Sequence, residues 1–135
     1  MDLSGLPHAE FGFPGPLRDK LVAAILSGAK TSTTSLAAQY GATEPMPAVG
    51  DRSAVVDSAG RPVAAIEVTE VRVVRLADVD LRHAVDEGEG YASVAEWRAG
   101  HEGFWNGAEM RDYLGDPDFV VDDDTPVVAE RFRVL

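Results

Sequence analysis

Apolar side chains recur at helical spacing near the start of the chain. Four of them lie three or four residues apart: Leu17, Leu21, Ala24 and Ile25. This spacing is typical of one face of an α-helix. Pro16 suits the first turn, where its missing N–H leaves no hydrogen bond unmade. Gly28 is a typical C-terminal stop. The pattern therefore predicts a helix that begins near Pro16, ends before Gly28 and leaves Lys30 just beyond its end.

Elsewhere the apolar positions favour β-strands. The segments with strand character are residues 31–36, 53–57, 62–76 and 126–134. Along the third segment the apolar phase slips by one position near Glu70, which predicts a β-bulge. Bulges help a sheet to curve towards a barrel. Residues 58–61 read Ser-Ala-Gly-Arg and predict a hairpin turn before the long strand.

The remaining segments predict short helices, a lead-in and a loop. Residues 1–15 are rich in glycine and proline, and we expect an irregular lead-in. Residues 37–50 predict a surface loop, which we interpret as a flap beside a cleft. Helical segments are predicted at 78–87, from 93 onwards, and at 108–114. Strands and helices in this order indicate a single α+β domain built on a small curved sheet.

The composition narrows the classes of function. The length of 135 residues predicts one domain. The formal net charge of −11 disfavours binding to long nucleic acids, which are themselves negatively charged. There is no cysteine, so disulfide and thiolate chemistry are excluded. No apolar run is long enough for a membrane span, and no signal pattern opens the chain, so we expect a cytoplasmic protein without membrane contact. We identify no cofactor motif and no metal-ligand spacing.

The stretch that begins at Lys30 contains the side chains best suited to catalysis or to ligand binding. Four hydroxyl side chains follow the lysine, at Thr31, Ser32, Thr33 and Thr34. An amine beside hydroxyls can bind an anion or hold a nucleophile next to a base. The alternative is structural: a cation beyond a helix C-terminus is favoured by the helix dipole, and threonines form strands. In a regular strand Lys30 and Thr33 would point to opposite faces, so a shared site requires a bend after the helix.

Glu67 is the second residue of interest, because it interrupts the apolar run of residues 63–68. It lies either on the solvent face of a strand or in an apolar cleft. In a cleft, burial would raise its pKa and a nearby lysine would oppose that rise. Carboxylates tuned in this way serve as general acids and bases.

The stretch Gly28-x-Lys30-x-x-Thr33 resembles the G-x-K-x-x-T signature of the ASCH domain family. Further segments fit the family in order along the chain: Gly50-Asp51, residues 66–69, residues 87–90, residues 96–98 and residues 130–134. The resemblance spans residues 11–135. It implies one ASCH domain over residues 1–135, with a PUA-like β-barrel, flanking helices and a cleft beside Lys30.

The resemblance also implies several activities. One branch of the family comprises metal-independent amidohydrolases that act on N4-acetylcytidine. In that branch a lysine activates a threonine nucleophile and a strand glutamate is acid and base. Carried over, these are Lys30, Thr33 and Glu67. Other members bind RNA or cleave single-stranded RNA. The expected partner is therefore a small nucleoside-like ligand or single-stranded RNA.

Residues 88–125 are an elaboration that the shorter amidohydrolases lack, and this leaves the substrate open. Three aromatic side chains of this segment, Tyr91, Trp97 and Trp105, have the chemistry to stack on a base. Their helical spacing favours packing in the core over stacking on a base. His101 and Arg98 have similar alternatives: His101 as a catalytic or a core residue, and Arg98 as a phosphate contact or as the partner of a neighbouring glutamate.

Overall fold

The computed structural model describes residues 2–41 and 43–135, which form one curled sheet and four α-helices. The helices are α1 (Pro16–Ser27), α2 (Leu81–Asp86), α3 (Val94–Trp105) and α4 (Ala108–Leu114). The strands are β1 (His8–Ala9), β2 (Ser32–Leu36), β3 (Arg52–Val56), β4 (Pro62–Arg75) and β5 (Pro126–Val134). The predicted single α+β domain on a curved, PUA-like sheet is confirmed.

The sheet has the strand order β1-β3-β4-β5-β2. β1 runs parallel to β3, and the other neighbouring strands are antiparallel. The pairing of β4 with β5 slips between Val68 and Glu70, which confirms the predicted bulge. β2 joins the far edge against β5, so that Thr33 lies directly opposite Glu130. This long-range pairing places β2, from the first third of the chain, beside β5, the last strand.

Local sequence signals account for the helix boundaries. α1 ends at Gly28, whose φ of 84° is left-handed and whose N–H donates to Ile25. α2 begins after Asp80, whose carboxylate caps the N–H of His83. α3 begins after Ser93, whose hydroxyl caps the helix in the same way. None of the helices in the described residues has the length and apolar character needed to cross a membrane.

Two apolar clusters hold the helices on the sheet. The first surrounds Trp97 and Trp105, both fully buried against β2, β5 and α4. Their burial shows that these rings pack in the core. The second cluster joins α1 to the sheet through Ile25, Ile66 and Phe132. Phe11, from the lead-in, also packs in this second cluster.

Candidate functional site

A cavity of about 770 Å³ opens between the lead-in, the curled sheet and α3. This volume lies within the range of about 300–1,000 Å³ that is typical of small-molecule sites. The loop interpreted as a flap contributes Tyr40, Glu44 and Pro45 to its wall. Lys30 and Thr33 both line the cavity, whereas Glu67 does not. The structure therefore places two of the three residues predicted as catalytic in the wall of one cavity.

Lys30 is buried, with 2% of its surface exposed. The left-handed turn at Gly28 bends the chain between α1 and Lys30. The Lys30 Nζ donates to the carbonyl of Ser32 at 2.9 Å and to the carbonyl of Glu87 at 3.3 Å. It also lies 3.5 Å from the Glu87 carboxylate. Three acceptors match the three N–H groups of an ammonium, so Lys30 is held as a buried cation.

Glu87 is the buried anion that balances Lys30, with 1% of its surface exposed. Its Oε2 accepts from the hydroxyl of Thr34 at 2.7 Å and from the indole N–H of Trp97. Its Oε1 accepts from His101 at 3.3 Å. Burial alone would raise the pKa of Glu87. The hydrogen bond from His101 and the charge of Lys30 outweigh that effect and lower the pKa to about 2.

His101 has a hydrogen-bond acceptor at each ring nitrogen. Its Nδ1 lies 2.8 Å from the carbonyl oxygen of Trp97, and its Nε2 lies 3.3 Å from Glu87. A carbonyl and an ionised carboxylate can only accept, so both nitrogens carry a proton and the ring is an imidazolium. Burial lowers the pKa of His101, but the hydrogen bond to Glu87 overcomes this and raises it. The ring also stacks on Trp97 at 4.3 Å between centroids.

Thr34 links the anion to a second histidine. Its hydroxyl donates to Glu87, so its oxygen must accept from the Nε2 of His83 at 2.7 Å. His83 is therefore the tautomer protonated at Nε2. Burial lowers the pKa of His83, which keeps the ring neutral at neutral pH. The hydroxyl that joins the Lys30–Glu87 pair is thus that of Thr34 rather than that of Thr33.

Thr33 lies on the opposite face of β2 from Thr34. Within residues 2–41 and 43–135 its hydroxyl has no hydrogen-bond partner, and the residue lines the cavity. Ser35 is on the same face and hydrogen-bonds to the Tyr40 hydroxyl at 2.7 Å. Burial raises the pKa of Tyr40 to about 12, so this hydroxyl stays protonated. Glu130 faces Thr33 across the strand pair.

Glu130 is a half-buried carboxyl in the cavity wall. Burial, and secondarily the negative charge of Asp51, raises its pKa to about 7. A carboxyl with this pKa exchanges its proton near neutral pH. No local pattern in the sequence predicts a role for Glu130, although it lies within one of the segments that resemble the family.

Glu67 lies apart from Lys30 and Thr33. Its neighbours Ile66 and Val68 line the cavity, so alternation along β4 turns Glu67 to the other face. There it accepts from Arg52 at 2.8 Å and from Arg133 at 2.9 Å. The hydrogen bond from Arg133, followed by that from Arg52, lowers its pKa. Of the two alternatives for Glu67, the structure therefore shows the position on the solvent face of the strand, and not the position in the cleft.

Three side chains have donor atoms close enough to hold a metal ion. The donor atoms of Glu87, Glu89 and His101 lie within 4.8 Å of one another. Both oxygens of Glu87 already accept hydrogen bonds, and His101 uses both nitrogens as donors. A cation here would have to displace protons from this network. The donor chemistry of the group therefore favours a hydrogen-bonded cluster over a metal centre.

Comparison with known proteins identifies the family. The model of the ASCH domain matches residues 9–135. This chain belongs to the ASCH domain family. No match was found among curated proteins.

Solved structures agree with this assignment. The ASCH domain from Lactobacillus crispatus JV V101 is 29% identical, with a TM-score of 0.80 over 95% of this chain and 78% of that one. Protein EF3133 from Enterococcus faecalis V583 is 24% identical, with a TM-score of 0.83 over 100% of this chain and 79% of that one. The likeness to EF3133 supports the fold alone.

Proposed function

We propose that this ASCH protein is a metal-independent hydrolase that cleaves an amide on a small nucleoside-like ligand of the N4-acylcytidine type. The observation that carries the proposal is the unbonded hydroxyl of Thr33 in the wall of a cavity of about 770 Å³. A nucleoside fits such a volume. The buried side chains of Lys30, Glu87 and His101 form a network of ion pairs that lines the same cavity.

In the proposed reaction the Thr33 oxygen attacks the acyl carbon of the amide. The C–N bond then breaks, the amine leaves, and the acyl group stays on Thr33 as an ester that water hydrolyses. The sequence-based hypothesis made Lys30 the base. All three of its N–H groups are directed at acceptors, so we propose instead that Lys30 is a positioning residue. It holds Glu87 and keeps a positive charge under the cavity.

The charge distribution supports a small ligand over RNA. Lys30 is buried and adds nothing to a basic surface. Among the residues that the structure describes, every arginine except Arg111 has a carboxylate within ion-pair distance. The cavity wall also contains several carboxylates, among them Glu10, Glu44 and Asp51. A polyanion gains little from such a surface, whereas a neutral nucleoside is not repelled.

The decisive test is hydrolysis of N4-acetylcytidine in the presence of a chelator. We expect the wild type to release cytidine and acetate, and Thr33→Ala to lose at least about 10³-fold in kcat/KM, because its nucleophile is gone. The control is Thr31→Ala, which removes an exposed hydroxyl two residues away. Equal rates for Thr33→Ala and wild type would rule out Thr33 as nucleophile. An inactive wild type that binds single-stranded RNA would favour the alternative function.

A second variant tests the acid and base role that the family resemblance implies for Glu67. Glu67→Gln is expected to leave kcat/KM unchanged, because Glu67 lies outside the cavity in an ion pair with Arg52 and Arg133. The measurement is steady-state hydrolysis of N4-acetylcytidine. A loss as large as that of Thr33→Ala would instead support the role that the family resemblance implies for Glu67.

A further inference from the structure

We propose that Glu130 is the general base that activates Thr33, taking the hydroxyl proton as the threonine oxygen attacks the ligand. This inference rests on the proposed hydrolase function and adds to it a residue from the last strand. It also replaces Lys30 and Glu67 in the role of proton acceptor.

The register of the sheet places Glu130 beside Thr33. Thr33 of β2 and Glu130 of β5 are directly opposite each other in an antiparallel pair, so both side chains project from the same face. Directly opposite residues have Cβ atoms about 4.5–5.5 Å apart. A glutamate side chain is long enough to bring its carboxylate to the neighbouring hydroxyl from that separation. Both residues line the cavity.

Among the described residues, no hydrogen-bond donor occupies the carboxyl oxygens of Glu130. Other carboxylates of the cavity have partners: Glu87 accepts several hydrogen bonds, Glu10 pairs with Arg18, and Glu44 accepts from Tyr113. In the part of the chain that the structure describes, Glu130 has neither a hydrogen bond nor an ion pair. An unbonded carboxyl therefore faces an unbonded hydroxyl.

The surroundings of Glu130 raise its pKa. Two ionisable groups lie near it: Asp51, from the loop before β3, acts on Glu130 through its negative charge, and Tyr40, from the turn after β2, is a neutral phenol whose pKa the charge of Glu130 helps to raise. Neither supplies a positive charge. Burial and Asp51 raise the pKa of Glu130 to about 7, a value suited to a base that works near neutral pH.

Thr33 and Glu130 together account for every proton transfer in the proposed reaction. As the Thr33 oxygen bonds to the acyl carbon, its proton moves to the ionised Glu130, and the carbonyl becomes an oxyanion. When the C–N bond breaks, Glu130 returns that proton to the leaving nitrogen. Water then attacks the ester, Glu130 takes a proton from it, and that proton restores the Thr33 hydroxyl. The sum is amide plus water giving acid plus amine.

The test compares Glu130→Gln with wild type in pH profiles of N4-acetylcytidine hydrolysis. We expect kcat/KM of the wild type to rise through a pKa near 7. We expect Glu130→Gln to lose about 10²–10⁴-fold and to lack that rise, since an amide cannot accept the proton. The matched control is Glu70→Gln, an exposed carboxylate of β4 that lies outside the cavity. Its profile should match that of the wild type.

The outcomes are distinguishable. If the wild type is active and folded Glu130→Gln keeps both the rate and the pH limb, Glu130 is not the base and the hydrolase function still stands. If the wild type is inactive, the hydrolase function and the base role both fall. A carbon NMR titration of the Glu130 carboxyl needs no substrate. A midpoint near 7 supports the base role, and a midpoint near the ordinary 4.5 overturns it.

Discussion

Lys30→Met is expected to lower the free energy of unfolding by about 3–5 kcal/mol, the usual effect of removing one partner of a buried ion pair. The substitution leaves the Glu87 carboxylate, 1% exposed, without its cation. Two backbone carbonyls, those of Ser32 and Glu87, also lose a donor. Urea unfolding followed by circular dichroism measures the change.

The control is Lys20→Met, because Lys20 is the only other lysine of the chain and is exposed on α1. It should change stability by no more than about 0.5 kcal/mol. The double variant Lys30→Met with Glu87→Gln should recover part of the loss, since the buried charge is then removed as well. A loss below about 1 kcal/mol for Lys30→Met would contradict a buried ion pair.

The pH dependence of stability offers a further readout of the same pair. The pKa of Glu87 falls from its ordinary 4.5 to about 2 in the fold. The stability that the ionised carboxylate contributes is therefore fully present above about pH 4.5 and lost as pH falls towards 2. In Lys30→Met the pKa of Glu87 should rise, because the charge of Lys30 no longer lowers it. The acid-induced loss should then be smaller than in the wild type and complete at a higher pH.

Much of the fold follows from local signals in the sequence. Proline and glycine delimit α1, the phase slip near Glu70 predicts the bulge, and Ser93 caps α3. Each of these signals acts over a few residues, where side-chain spacing and backbone preference decide the structure. The position of Lys30 just beyond a helix end is predicted for the same reason.

Local signals do not predict which glutamate lies near Lys30 and Thr33 in the fold. Alternation along β4 assigns Glu67 to one of two faces, but only the curl of the whole sheet decides which face encloses the cavity. Glu87 reaches Lys30 from a short helix that lies 57 residues away in sequence. Glu130 meets Thr33 because the last strand pairs with β2. These are long-range arrangements that no local pattern encodes.

The same limit applies to the hydroxyls after Lys30. Thr33 and Thr34 are adjacent and chemically alike, and the sequence places them on opposite faces of one strand without saying what each face meets. In the fold Thr34 is fixed between His83 and Glu87, while Thr33 faces the cavity and Glu130. One residue is therefore structural and its neighbour is available for chemistry.

The second large effect is expected for Gly88→Ala, a change next to the buried anion. Gly88 has a φ of 73°, and a Cβ there would lie 2.6 Å from the carbonyl oxygen of Ala29 and 2.7 Å from the backbone nitrogen of Lys30. Both obstacles are backbone atoms, which cannot turn aside as a flexible side chain can. We expect a loss of about 2–5 kcal/mol in unfolding free energy, from the left-handed backbone and the overpacking together.

Gly90→Ala separates those two contributions. Gly90 has a φ of 88°, but a Cβ there would meet nothing within 4 Å. It should therefore show only the conformational cost, about 1–2 kcal/mol. If both variants lose equal stability, the contact of the new Cβ at position 88 with the backbone of Ala29 and Lys30 does not affect the free energy of unfolding. If Gly88→Ala loses more, and hydrolysis of N4-acetylcytidine falls with it while Gly90→Ala stays active, the junction between Gly88 and Lys30 sets the geometry of the cavity.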